Sequence, residues 1–130
     1  MITADRLSRE ISALGVAPGD VVMVHVSLRA IGPLENGAAG LLEALRTSVG
    51  HLGTLMVLGA NIPHDLVNRR PESARETLLA DASVFDPLSA PVFSEVGYFA
   101  EVFRRAPGTL VSDNPSGRIG AQGRLAQKLL

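Results

Sequence analysis

The sequence alternates short apolar runs with helical patterns, and this alternation most restricts the possible fold. Residues 21–24 and 54–59 read as strands, and between them the apolar residues of 38–50 recur at helical spacing. A strand, helix, strand order is typical of a parallel crossover. Because residues 21–24 are apolar at every position, they favour a central strand covered by helices on both faces. The sequence therefore predicts an α/β domain with an internal, parallel pair of strands.

Capping residues place two further helices. Thr3 is a good N-cap for a helix that ends near Gly15, and Ser94 is a candidate N-cap for one that runs to about Arg105. Between them, residues 60–92 have poor periodicity and repeated prolines, so we expect mainly a long surface segment with room for a short helix over 72–79.

The C-terminal region holds shorter elements. Residues 109–112 suggest a strand, and the glycine-rich stretch that follows suggests a turn or a second strand. A final helix is predicted to start near Ala121. No repeat or linker divides the chain, so residues 1–130 are expected to form a single domain.

Composition restricts the function classes. The chain is 46% hydrophobic and 19% charged, with a net charge of −1, which favours a globular domain and disfavours a nucleic-acid partner. It has no cysteine, which excludes disulfides and thiol chemistry, and it shows no signal peptide or membrane-spanning run. We therefore expect a cytoplasmic protein with no membrane partner.

Polar residues end the first predicted strand. His25 and Ser27 point to one side of the strand end by period-2 alternation, while Val26 points to the other. The carboxyl end of a parallel strand is where α/β proteins bind ligands. A hydrogen-bonded core histidine and a serine that merely ends the strand are the alternative interpretation, and spacing alone favours that alternative.

Two other positions are candidates for binding. Arg118 lies in a tight turn, where it could bind a phosphate or simply face solvent. Asp86 lies in a proline-bounded loop, where it could bind a cationic substrate or form a turn. His51 and His64 have no metal-ligand spacing with His25, and the glycine-rich stretches match no nucleotide motif, so we expect no metal and no nucleotide triphosphate.

Five separated segments together carry a resemblance to a known family, the aminoglycoside 3-N-acetyltransferases, which are antibiotic acetyltransferases unrelated to the GNAT fold. The match runs in order over nearly all of the chain. The segments are GVAPGDVVMVHVSLRAIG, the helix after it, GTLMV, FDPLSAPVFSEVGYFAEVFRRAPG and SDNPSGRIGAQG.

The resemblance implies a three-layer α/β/α fold with a partly parallel central sheet. It also implies a transferase of antibiotic resistance, which moves an acetyl group from acetyl-CoA to the 3-amino group of an aminoglycoside or to another amine. Two family segments border the coenzyme. They map here to His25, Val26, Ser27, Leu28 and Arg29, and to Ser112, Pro115 and Arg118.

Two departures from the family pattern matter. Asn114 stands where the second segment usually has a histidine. The family's catalytic histidine and its acidic partner lie in a C-terminal half that would follow Leu130, so the resemblance assigns no catalytic residue here. We therefore expect either a coenzyme-side half or a truncated, non-catalytic relative that keeps the fold and binds coenzyme A. An exposed apolar face would then favour a homo-oligomer or a missing C-terminal half as partner.

Overall fold

The computed structural model describes residues 1–61, 71–80 and 84–130. The helices and strands follow in chain order: α1 Ala4–Ala13, β1 Val21–Val24, α2 Leu28–Ile31, α3 Gly37–Val49, β2 Thr54–Leu58, α4 Glu72–Ala80, α5 Tyr98–Arg105, β3 Leu110–Val111, β4 Ile119–Gly123 and α6 Ala126–Leu129. A single 3-10 turn, Ser94–Val96, precedes α5.

The four described strands form one mixed sheet in the order β1-β2-β4-β3. β1 and β2 are parallel, as the strand, helix, strand pattern predicts. β4 pairs antiparallel with both β2 and β3. The expectation of an α/β fold with a partly parallel sheet is confirmed.

One face of the sheet packs against α3 and α5, and α1 packs against α3. Leu55 and Val57 of β2 lie on this face, against Phe103 of α5, which is fully buried. Gly120 of β4 permits the close approach, because a Cβ there would lie 3.2 Å from the Phe103 ring. Burial of each such side chain contributes roughly 1.5–3 kcal/mol, so this layer is the main source of stability.

The other face is less covered than the sequence predicts. Residues 21–24 were expected to form a central strand, but within the described residues β1 lies at the end of the sheet, with β2 as its partner. The side chains of Val21 and Met23 are 47% and 42% exposed. Short α6 contacts β2 and β4 near Thr54, whose hydroxyl accepts from the Leu125 N–H. Association through this apolar face stays a prediction.

Two predicted boundaries are wrong. Ser94 begins the 3-10 turn rather than α5, because Gly97, at φ +108°, breaks the chain direction and is itself the residue that precedes α5. Ala121 lies inside β4, and the last helix starts at Ala126. The Thr3 cap is confirmed, and the short helix predicted over 72–79 is present as α4, Glu72–Ala80.

None of the described helices has the length and the apolar character that a bilayer crossing requires.

Candidate functional site

The loop after β1 is open to solvent and alternates as its sequence predicts. His25, Ser27 and Arg29 are exposed, whereas Val26 and Leu28 are partly buried. His25 is therefore not a core histidine. Beside the loop lies a pocket of about 260 Å³ at the carboxyl ends of β1 and β2, lined by Val24, His25, Val26, Val57, Leu58, Val96, Phe99 and Ala100.

Ser27 has a local structural role as well. Its Oγ accepts a hydrogen bond from the Ala30 N–H at 3.3 Å, so it is the N-cap of α2. A cap uses the acceptor capacity of the hydroxyl, and the hydroxyl proton remains a donor. Ser27 can therefore hold the turn and donate to a ligand at the same time.

Arg118 is placed differently from the expected phosphate contact. Its side chain is fully buried, at 0% exposure. Nε donates to the Gly59 carbonyl at 2.7 Å, and Nη1 donates to the carbonyls of Pro87 and Ala90 at 3.0 and 2.6 Å. The guanidinium thus binds backbone oxygens at the end of β2 and in the loop 85–91. A phosphate group bound at the protein surface would not reach the Arg118 guanidinium in this arrangement.

The electrostatic surroundings of Arg118 agree with that burial. Burial lowers its pKa below the ordinary arginine value, the positive charge of Arg104 lowers it further, and Glu101 opposes the shift. Nη2 has no hydrogen-bond partner among the described residues. A buried cation without full compensation costs stability, so the three carbonyl bonds are what make this position tolerable.

The turn before Arg118 is built from its own polar groups. The Asn114 Oδ1 accepts from the N–H groups of Ser116 and Gly117, and the Ser112 Oγ accepts from the Ile119 N–H at 2.9 Å. The Pro115 carbonyl accepts from the Asn61 N–H at 2.8 Å. In this structure the expected coenzyme contact Ser112 therefore closes the turn onto Ile119, and Pro115 ties the turn to the segment after β2.

Asp86 forms a turn, and its carboxylate stays exposed. Oδ2 accepts from the Ser89 hydroxyl at 2.6 Å and Oδ1 accepts from the Leu88 N–H at 3.0 Å. The Ser89 bond and then the Leu88 bond hold the pKa of Asp86 below its ordinary value. Turn formation and charge are compatible, because the bonded carboxylate remains ionised and accessible.

Sequence reasoning missed an ion pair that supports the same loop. Glu101 Oε2 accepts from the Val92 N–H at 2.8 Å, and Arg104 binds both the Glu101 carboxylate and the Leu88 carbonyl. The pKa of Glu101 is lowered, mainly by the hydrogen bond from Arg104. The i, i+3 spacing of these residues on α5 was the available signal.

The histidines do not form a metal centre in the part of the chain that is described. His51 is exposed on the turn after α3, and His64 lies outside the described residues. Within residues 1–61, 71–80 and 84–130, no three His, Asp or Glu side chains are arranged to hold a metal ion.

The sheet brings the two predicted coenzyme segments to one edge. Leu58, the last residue of β2, pairs with Ile119, which follows Arg118 directly. The loop 25–29 leaves β1 at this same edge, because β1 runs parallel to β2. β2 lies between the two segments, so the exposed loop and the buried arginine flank its carboxyl end from opposite sides.

Known proteins are similar to this chain in sequence. Residues 23–130 match the sequence model of the family described as Aminoglycoside 3-N-acetyltransferase. Aminoglycoside N(3)-acetyltransferase VIII of Streptomyces fradiae is 37% identical over 132 aligned residues, which cover 99% of this chain and 46% of that relative. The chain therefore spans about half the length of the curated relatives it matches.

Solved structures agree with the sequence match. The crystal structure of aminoglycoside acetyltransferase AAC(3)-Xa superposes with a TM-score of 0.86 at 36% identity, over 98% of this chain and 46% of that one. The binary complex of AAC-IIIb with CoASH superposes with a TM-score of 0.80 at 33% identity, over 96% and 47%. On both grounds, this chain belongs to the aminoglycoside 3-N-acetyltransferase family.

Proposed function

We propose that this chain forms the coenzyme side of an enzyme that transfers an acetyl group from acetyl-CoA to the 3-amino group of an aminoglycoside. The observation that carries the proposal is the exposed loop His25–Arg29, which lies beside an apolar pocket at the carboxyl ends of two parallel strands. Such an edge is the general ligand position of α/β sheets. A relative of the same fold is a binary complex with CoASH, which supports this choice of ligand.

The chemistry of the loop suits a phosphate-bearing thioester carrier. Arg29 presents an exposed guanidinium, and such a group pairs with phosphate oxygens through charge-assisted hydrogen bonds. Ser27 adds a hydroxyl donor. The pocket beside His25 has apolar walls, including Val26 and Phe99, against which the uncharged arm of the carrier can pack. Val26 and Leu28 anchor the loop by their partial burial.

The amine substrate is assigned to the loop that carries Asp86. An ionised, exposed carboxylate attracts a polycationic amine, and the lowered pKa of Asp86 keeps that charge down to acidic pH. The chain just after this loop is joined to the segment that follows β2 through the Phe93 N–H, which donates to the Ala60 carbonyl at 3.0 Å. Amine and thioester would then meet at one edge of the sheet.

Acetyl transfer needs more than these two contacts. The amine lone pair attacks the thioester carbonyl, the coenzyme leaves as its thiolate, and a base takes the amine proton. None of the residues described above is assigned as that base. The relative from Streptomyces fradiae has about as much chain again beyond the matched part. We propose that the base and the rest of the amine site belong to the segment corresponding to that length.

Coenzyme binding is tested by isothermal titration of coenzyme A into the chain and into Arg29→Met. We expect binding by the wild-type chain, and roughly 10-fold weaker binding by the variant because a charge-assisted contact is lost. Arg9→Met is the matched control, since Arg9 is an exposed arginine on α1, away from this edge. Equal affinity of all three proteins would contradict the assigned role of the loop.

Catalysis is tested separately by incubating the chain with acetyl-CoA and an aminoglycoside and searching for the acetylated product by mass spectrometry. A positioned general base contributes about 10²- to 10⁴-fold to rate, so the 130 residues alone should turn over very slowly. Fast, stoichiometric acetylation would show that these residues contain the base. Coenzyme binding without any acetylated product would favour a non-catalytic relative.

A further inference from the structure

The loop Phe85–Pro91 is fastened to the sheet by one buried side chain. Arg118 donates to the carbonyls of Pro87 and Ala90 in this loop, and with Nε to Gly59, which follows β2. Its Cζ also lies 5.5 Å from the centre of the Phe85 ring, a cation–π distance. One guanidinium therefore joins three residues of this loop to Gly59, which is distant from them in sequence.

Asp86 lies between Phe85 and Pro87, which both contact the Arg118 guanidinium. Its own carbonyl accepts from the Ala90 N–H at 2.9 Å, and its carboxylate closes the turn at Leu88 and Ser89. The carbonyls that Arg118 binds belong to Pro87 and Ala90, one residue after Asp86 and at the end of its turn. Moving the guanidinium would therefore move the turn that aims the Asp86 carboxylate.

The shape of arginine suits this role. A guanidinium presents its donors in a rigid plane, so it can reach carbonyls in two directions and still stack on a ring. A lysine would supply a charge and three donors without the fixed plane. Because the side chain is fully buried, its Nε and Nη1 donors serve the protein itself rather than a ligand in solution.

We infer that Arg118 is a positioning residue, which holds the Phe85–Pro91 loop against the end of β2 and so fixes the place of the Asp86 carboxylate for the amine substrate. The substrate part of this inference rests on the proposed function. The loop part rests on the hydrogen bonds alone. Arg118 acts through Asp86 and touches neither coenzyme nor amine.

Hydrogen exchange tests the loop part without any ligand. In Arg118→Gln, the amides of Leu88 and Ala90 should exchange at least about 10-fold faster, because the loop loses its anchor, while Leu55 and Val57 amides in β2 stay protected. Arg118→Lys, which retains charge and donors and is the safer variant to fold, should lie between. Arg124→Gln, just after β4 and exposed, is the matched control. Unchanged protection of Leu88 and Ala90 in both Arg118 variants would overturn the inference.

The substrate part is tested by a double-mutant cycle on aminoglycoside binding. Arg118→Lys and Asp86→Asn should each weaken binding, and the double variant should bind no more weakly than Asp86→Asn alone, because both act through one carboxylate. Coenzyme affinity should stay within about 2-fold. Additive losses would overturn the action through Asp86. If the wild-type chain binds no aminoglycoside, the amine assignment fails and with it the substrate part, and the exchange result still decides the loop part.

Discussion

The loop after β1 and the turn before β4 reach the same edge of the sheet, yet they use their polar side chains in opposite ways. His25, Ser27 and Arg29 face solvent. Arg118 is buried, and its Nε and Nη1 groups donate to three backbone carbonyls. An exposed cation keeps its hydration, so it costs little free energy and remains available to a ligand. A buried cation loses its hydration and needs hydrogen-bond acceptors from its own protein. Residue type alone therefore does not identify a phosphate ligand, because the neighbours decide whether a guanidinium is a contact or a support.

The largest expected effect comes from making the same substitution on both sides of this comparison. Arg118→Met should lower the free energy of unfolding by about 2–4 kcal/mol, because it strands the carbonyls of Gly59, Pro87 and Ala90. Arg29→Met should change it by less than about 0.5 kcal/mol, as exposed substitutions usually do. Urea denaturation monitored by circular dichroism measures both. Comparable changes in the free energy of unfolding for the two variants would contradict the assignment of Arg118 as a structural support and Arg29 as a ligand contact.

A smaller effect separates the two roles of Ser27. Ser27→Ala should lower the free energy of unfolding by about 1 kcal/mol, since the Ala30 N–H loses its cap. Ser27→Asn and Ser27→Asp should both keep that cap. Only the aspartate adds a negative charge, so it should bind coenzyme A more weakly than the asparagine does.

Thermal or urea denaturation of the three Ser27 variants, followed by coenzyme titration, distinguishes the cap from the contact. Equal coenzyme affinity for the asparagine and aspartate variants would show that no phosphate comes near this residue. A Ser27→Ala protein with an unchanged free energy of unfolding would show that the cap contributes little to stability.

The smallest expected effect concerns the second support of the Asp86 loop. The pKa of Glu101 is held below its ordinary value of 4.5, chiefly by Arg104. The stability that this ionised group contributes is therefore present above about pH 4.5 and is lost as the pH falls through the lowered pKa. Glu101→Gln should flatten the acid side of the stability profile. Urea denaturation across that range is the measurement.

The neighbouring Glu95→Gln is the control for this profile, because Glu95 is exposed in the 3-10 turn. If Glu95→Gln flattened the profile as much as Glu101→Gln, the acid sensitivity would come from the general charge of the region. The ion pair with Arg104 would then not be its source.

Local pattern predicted much of the fold, and its failures have physical reasons. The β1-α3-β2 unit follows from periodicity. The position of β1 at the end of the sheet does not follow from the sequence. An apolar run such as Val21–Val24 indicates hydrophobicity, but it does not show whether other strands or helices pack against it. β4 contains glycine, alanine and glutamine, which have weak strand preference, and its partners β2 and β3 hold it in place.

In the candidate site, too, the features set by local sequence were predictable and those set by distant contacts were not. The alternation of His25 and Ser27 is local, so their position on one side of the strand end was predictable. The exposure of His25 was not, because spacing alone favours a core histidine. The burial of Arg118 was not, since its partners are carbonyls as far as 59 residues away, and a backbone carbonyl has no sequence signature. The family resemblance assigns both segments to the coenzyme, which stays a prediction, and the strand pairing brings them to one sheet edge.

The most direct test of the central claim is a titration of the isotope-labelled chain with coenzyme A, followed by nuclear magnetic resonance. We expect chemical-shift changes concentrated at residues 25–29 and around the pocket beside His25, while the Nε–H signal of Arg118 keeps its position. A titration that moved the Arg118 Nε–H and left residues 25–29 unchanged would contradict that claim.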